Sequence, residues 1–156
     1  MPAPEYVLKL RKKIGNDPIW VPGVRGVVVD DAGRILLAQR ADNGQWALVS
    51  GMLDPGEQPA RGLVREIFEE TAVVAEAERV VSVGAVGPVT YPNGDVCEFL
   101  DVVFLCRYVS GEARVNDDES LAVGWFTLDD LPELMPGHLT SIRQALAPTA
   151  AVHFEP

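Results

Sequence analysis

Cysteine, basic charge and long apolar runs are all scarce in this chain. Only two cysteines, Cys97 and Cys106, occur in 156 residues, too few for a disulfide scaffold. Their odd separation within one expected strand puts them on opposite faces, where they cannot pair. They read as buried thiols of a reducing compartment. Lys and Arg number 13 against 23 Asp and Glu, a net charge of −10, which argues against a nucleic-acid polymer as partner. It leaves room for a small phosphorylated ligand if metal ions bridge the charge. No apolar run approaches the length of a membrane span, and residues 1–15 mix charge throughout and lack a signal-peptide core. A cytoplasmic location is the expectation. Internal repeats and linkers are missing too, so residues 1–156 are expected to form one domain.

What is present is a folding composition, 47% hydrophobic and 23% charged, outside the disordered range. Its most informative stretch is 51–73. Asp54-Pro55-Gly56 supplies turn chemistry, and Pro59 suits the first position of a helix. On a wheel centred on Glu66, Glu69 falls at about −60° and Glu70 at about +40°. Ala60, Leu63, Val64, Ile67 and Phe68 fill the arc from roughly 60° to 200°, the expected buried side. Gly62, at about −40°, lies inside the acidic arc and costs helix stability by about 1 kcal/mol relative to alanine. Its position suggests that something approaches the backbone closely there. Three like charges within one turn repel. A proton or a cation relieves them, and hard carboxylate oxygens favour Mg²⁺ or Mn²⁺. Taken alone, the stripe also fits an ordinary solvated helix face.

Around this stretch the chain alternates strands and helices. Residues 4–14 suggest a short helix or a terminal arm (1–20), with a basic cluster that reads as a solvated face. Segments 24–29 and 35–40 form an expected hairpin joined by Asp30-Asp31-Ala32-Gly33. Residues 44–49 suggest a short strand, with Trp46 as a core anchor. Segments 79–90 and 96–108 are long strands turning at Tyr91-Pro92-Asn93-Gly94. A last strand spans 121–127. A short helix over 129–134, capped by Thr127, and a second over 138–146 complete the pattern. The fold class expected is α/β (α+β), a mixed central β-sheet in an α/β sandwich.

Gly51, then five residues, Glu57, then seven, then Arg65-Glu66-Ile67-Phe68-Glu69-Glu70-Thr71-Ala72-Val73 resembles the Nudix box, G-x5-E-x7-R-E-U-x-E-E-x-G-U with U aliphatic. Every fixed position in 51–73 matches except Ala72, where the family has glycine. Gln45-Trp46 upstream and Trp125-Phe126 before Leu131-Pro132 extend the likeness over most of the chain. The resemblance implies a Nudix-type α/β/α sandwich and a Mg²⁺-dependent (or Mn²⁺-dependent) hydrolase of diphosphate linkages. It implies Glu69 and Glu70 as principal metal ligands together with the Gly51 carbonyl. Glu66 becomes a ligand or the general base, and Glu57 and Arg65 hold the site together. A further acid commonly comes from a later loop, here Glu119 in the run Asp117-Asp118-Glu119, which also reads as an ordinary acidic loop. Ala72 must bear about 1 kcal/mol of left-handed strain or end the helix differently. Ser50 and Val49 replace a frequent glycine and proline and remove no ligand. Gly62, facing the acidic cluster, is expected to leave room for metal and phosphates.

The substrate implied is a small nucleoside diphosphate derivative, foremost a nucleoside triphosphate or an oxidised nucleotide. ADP-ribose and dinucleoside polyphosphates stay open, as does a non-catalytic nucleotide sensor. A prenyl diphosphate isomerase is disfavoured, since no reactive cysteine lies near the motif. Substrate-binding residues are not read from the sequence. Trp20, Trp46, Tyr91 and Phe99 are candidates to stack a base, but core or rim packing is the favoured reading of each. Edge strands of such a fold leave a homodimer open.

Overall fold

The computed structural model describes residues 3–156, so the first two residues of the expected N-terminal arm lie outside the described residues. The β-branched run of β1 (Ile19–Val29) forms the spine of the sheet. It runs parallel to β6 (Val96–Ser110), in register from Ile19 opposite Cys97 to Val29 opposite Arg107. The long strand β5 (Val74–Thr90) returns antiparallel along β6 with several bulges. On the other side, β2 (Ile35–Arg40) meets β1 only at Val29–Ile35 and then pairs with β3 (Trp46–Ala47) and β7 (Ser120–Phe126). The place β2 vacates along β1 is taken by β4 (Val49–Met52), with Gly51 opposite Val24. The result is a mixed seven-stranded sheet.

Alternation along β1 sorts the layers. Val24 and Val28, with Phe104 and Cys106 of β6, face α2 (Pro59–Thr71) through Leu63 and Ile67. Val27 and Val103 face α3 (His138–Leu146) through Ile142 and Ala145. Val21 and Cys97 meet Val7 of α1 (Glu5–Ile14) on that same side. This is the α/β/α arrangement the sequence implies. The two cysteines are buried on opposite faces, as their spacing requires.

Several local expectations need correction. β1 begins at Ile19 and β5 at Val74, both earlier than expected, because β6 offers a continuous partner along its length. The segment 44–49 is not one strand: the chain changes partners at Leu48, between β3 and β4. The helix expected over 129–134 shrinks to a 3₁₀ turn, Leu128–Asp130, and Thr127 makes no side-chain cap. Pro132 explains the stop, since it drives Leu131 into extended geometry (φ −71°, ψ 136°). Phe68, placed on the buried arc, is 51% exposed. It lies at the rim of that arc, beyond the reach of the sheet.

One glycine sets how close α2 comes to the sheet, and one alanine ends that helix. A Cβ on Gly26 of β1 would sit 3.1 Å from Leu63 and 3.3 Å from Ile67, so α2 rests on bare backbone there. Ala72 ends α2 in the left-handed region (φ 58°), its N–H donating to the Phe68 carbonyl at 2.9 Å. Of the two outcomes open for this residue, the chain takes the strained one. Gly26→Val should therefore overpack the β1–α2 layer and cost about 1–3 kcal/mol. The check is a lower urea midpoint at unchanged m-value, and wild-type stability would refute the close approach.

Candidate active site

Arg65, on α2, is the hub of one half of the site. Its Nε and Nη2 donate to the two carboxylate oxygens of Glu57 at 2.9 Å, and Nη1 donates to Glu69 at 3.0 Å. The fork matches a carboxylate in geometry and charge. These bonds hold the Glu57 carboxyl below its usual range. Glu57 is itself placed by its turn: Asp54 N–H donates to its Oε2, and its own N–H bonds the Asp54 carbonyl. Gly62 does not open toward a metal, as the helical wheel suggests. A Cβ there would strike Leu53 and lie 2.9 Å from Glu57 Oε2. The close approach is real, and Leu53 and the Glu57 carboxylate make it.

Glu66 is the unusual member. It is fully buried, and a Cβ on Gly51 would come within 2.5 Å of its Oε1. The side chain therefore lies flat on the Gly51 backbone. Neither of its oxygens has a hydrogen-bond partner. Arg65 Nη1 stands 3.0 Å from Oε1, but off the angle of a hydrogen bond. Burial pushes its carboxyl up to about 7, against the pull of Arg65. One turn on, Glu70 is buried too, and burial reinforced by Glu66 and Asp117 raises it to about 8.

The second half of the site surrounds Glu70. A small pocket is lined by Arg40, Leu48, Ser50, Glu70, Glu119 and Ser120. The later acidic loop reaches it because the last carbonyls of α2 need donors. Arg114 N–H bonds the Thr71 carbonyl, Asn116 N–H that of Glu70, and Asn116 Nδ2 that of Phe68. Residues 117–119 follow and land beside Glu70. Across the pocket, Arg40 is paired with Asp42 at 2.6 and 2.9 Å.

Of the residues expected at the site, Glu57, Arg65, Glu66 and Glu69 thus form one connected cluster. Glu70 and Glu119 share the pocket, and Gly51 lies against Glu66. Glu69 turns toward Arg65 and not toward Glu70. Among the described residues no three acidic, histidine or cysteine side chains close around one point. The donor chemistry nonetheless fits a hard cation: buried carboxyl oxygens without donors, beside a strand backbone stripped of side chain at Gly51. Arg40, and the buried Arg25–Asp101 pair at 3.0 Å on the sheet floor, are absent from the sequence reading. An arginine inside the β-branched run of β1 was the available signal for Arg25. Arg40 at a strand end gave none.

Fold and sequence kinship together place this chain among the hydrolases of acid anhydrides. The NUDIX domain model matches residues 20–146, and the chain belongs to the Nudix family. It is 37% identical over 120 residues to a MutT-like protein of Streptomyces ambofaciens, covering 77% of this chain and 72% of that one. It is 32% identical over 128 residues to the NAD-capped RNA hydrolase NudC of Citrobacter koseri, covering 81% of this chain but only 46% of NudC. Its fold superposes on an ADP-ribose pyrophosphatase of Streptococcus suis with a TM-score of 0.69 at 27% identity, covering 86% and 98% of the two chains. Hydrolases of this family act on small nucleoside-diphosphate-linked compounds and generally use a divalent metal. Among the described residues no helix is long and apolar enough to cross a membrane.

The buried carboxyls link stability to pH. Folded, Glu66 and Glu70 keep protons to about 7 and about 8, whereas their ordinary value is 4.5. The unfolded chain sheds those protons first, so metal-free stability falls as pH rises through that window. His138, pushed down by burial to about 3 from 6.5, gives the opposite slope, confined to lower pH. Between about pH 6.5 and 8.5 the metal-free protein should lose on the order of 2 kcal/mol, and saturating Mg²⁺ should abolish the loss. Thermal melts in chelator and in Mg²⁺ check this. A flat chelator series would contradict it.

Proposed function

We propose that this chain is a Mg²⁺-dependent pyrophosphohydrolase that cleaves the diphosphate linkage of a nucleoside diphosphate derivative, with nucleoside triphosphates or oxidised nucleotides as its foremost substrates. The observation that carries this reading is Glu66, a buried carboxyl whose one cationic neighbour, Arg65, is shared with Glu57 and Glu69, lying on the Gly51 backbone beside Glu70. Such a group is costly to leave charged and alone. Glu66, Glu69, Glu70 and the Gly51 carbonyl would hold the cation, with Glu119 completing the set from the pocket's far wall. When bound, the cation would screen the diphosphate and lower the pKa of the attacking water.

The chain's own residues do the rest. Arg65 holds Glu57 by its fork and Glu69 by its remaining Nη1, so both carboxylates are oriented before a cation arrives. Glu66 serves as ligand or takes the proton of the attacking water. Arg40, the cation facing Glu70 in the pocket, meets a substrate phosphate. Water adds to one phosphorus and the bridging oxygen leaves with the other, giving a nucleoside monophosphate and a phosphorylated remainder or pyrophosphate. ADP-ribose is the second reading, supported by the likeness to the Streptococcus suis pyrophosphatase. A cytoplasmic site of action is supported by the two free, buried thiols.

A panel of nucleoside triphosphates, oxidised nucleotides and ADP-ribose, assayed with and without Mg²⁺, tests the proposal. Release of nucleoside monophosphate should require Mg²⁺, and Glu66→Gln and Glu69→Gln should each lower kcat by about a hundredfold or more. Equal turnover by the variants would defeat the assignment.

A further inference from the structure

Leu48 occupies a difficult place in the backbone. The chain leaves the β2 ladder as β3 and joins the β1 ladder as β4, and Leu48 is the residue between them. At such a change of partner a buried N–H loses its strand acceptor, and an unpaired one costs about as much as a lost hydrogen bond. Here the acceptor is Nδ1 of His138, at 2.9 Å and ninety residues away in sequence. His138 opens α3 and is buried. The segment before it is stitched to the same place: Met135 N–H donates to the Trp46 carbonyl at 3.0 Å, and Leu134 bridges Trp46. Burial, with Arg25 and Arg40 nearby, keeps the imidazole neutral, so Nδ1 holds a lone pair and the proton sits on Nε2.

What lies downstream gives this bond its importance. Gly51 follows within the same short strand, and Glu66 leaves no room for a methyl group on it. β4 is four residues long and pairs with β1 alone among the described residues. Its entry angle is therefore set at Leu48. We propose that His138 is a positioning residue for the metal site: its bond to Leu48 N–H fixes the path of residues 48–51 and thereby holds the Gly51 backbone against Glu66. This rests on the metal reading given above. A histidine that merely fills the core would affect melting temperature and leave metal affinity alone.

Mn²⁺ binding to the full chain, read from the EPR signal of the free ion at pH 7.5, separates the two. In His138→Asn the amide oxygen lies near the place of Nδ1 and keeps an acceptor for Leu48. In His138→Gln the amide lies further out and the acceptor is displaced. The Asn variant should bind Mn²⁺ within about threefold of wild type, and the Gln variant about tenfold or more weakly. A folded Gln variant with wild-type affinity overturns the proposal, even if its melting temperature drops. Equal weakening of both variants overturns it as well. Should the Gln variant fail to fold, His138→Leu, which fills the same place without an acceptor, replaces it: about a tenfold loss in the Leu variant beside wild-type affinity in the Asn variant supports the acceptor role, and wild-type affinity in both overturns it. Absence of Mn²⁺ binding by the wild-type chain would instead defeat the metal reading itself.

Discussion

The burial of the Glu66 carboxyl on the Gly51 backbone is the constraint around which the acidic end of this molecule is arranged. A carboxylate in that position is closed off from solvent and meets only the Arg65 guanidinium, at poor hydrogen-bond geometry. Such a group costs several kcal/mol if charged and unpaired. Arg65 relieves part of this, standing 3.0 Å from Oε1. It is already committed to Glu57 and Glu69, though, so burial still wins over its attraction. Glu70 adds a second buried acid one turn away. The helix therefore carries a standing deficit of positive charge that a proton relieves weakly and a divalent ion relieves well.

The rest of the fold keeps that deficit in place. β1 carries β4 and hence Gly51, and bare backbone at Gly26 lets α2 settle onto the sheet. The Glu57 turn reaches under α2 because Gly62 leaves space for Leu53 and the carboxylate. At the other end, the open carbonyls of α2 draw in residues 114–116 and bring Glu119 to the pocket. Backbone hydrogen bonds thus bring the Glu119 loop to the pocket, while the Arg65 side chain decides how Glu57 and Glu69 face each other.

Much of this was legible in the sequence, and the reasons differ by element. The mixed sheet was readable from the order of strands and helices and the buried face of α2 from its 3.6-residue pattern, whereas the α/β/α layering came from the resemblance carried by the spaced motif. The two cysteines fell on opposite faces because side chains alternate along a strand. The acidic stripe and its link to Gly51, Glu57 and Arg65 were visible as a spaced motif. The neighbour that fills the gap at Gly62 was not, because a wheel shows direction without showing what stands there. Phe68 was misplaced because a wheel cannot show where the sheet ends. Arg40 and His138 depend on long-range packing between elements far apart in the chain. No local pattern marks either one.

Calorimetric titration of the metal-free protein with Mg²⁺ at pH 7, repeated in buffers of different ionisation enthalpy, bears most directly on the buried acids. If the ion replaces protons held by Glu66 and Glu70, binding should release about one proton per ion, and Glu66→Gln should reduce that number. Binding without proton release, unchanged in Glu66→Gln, would show that the buried acids are not where the metal goes.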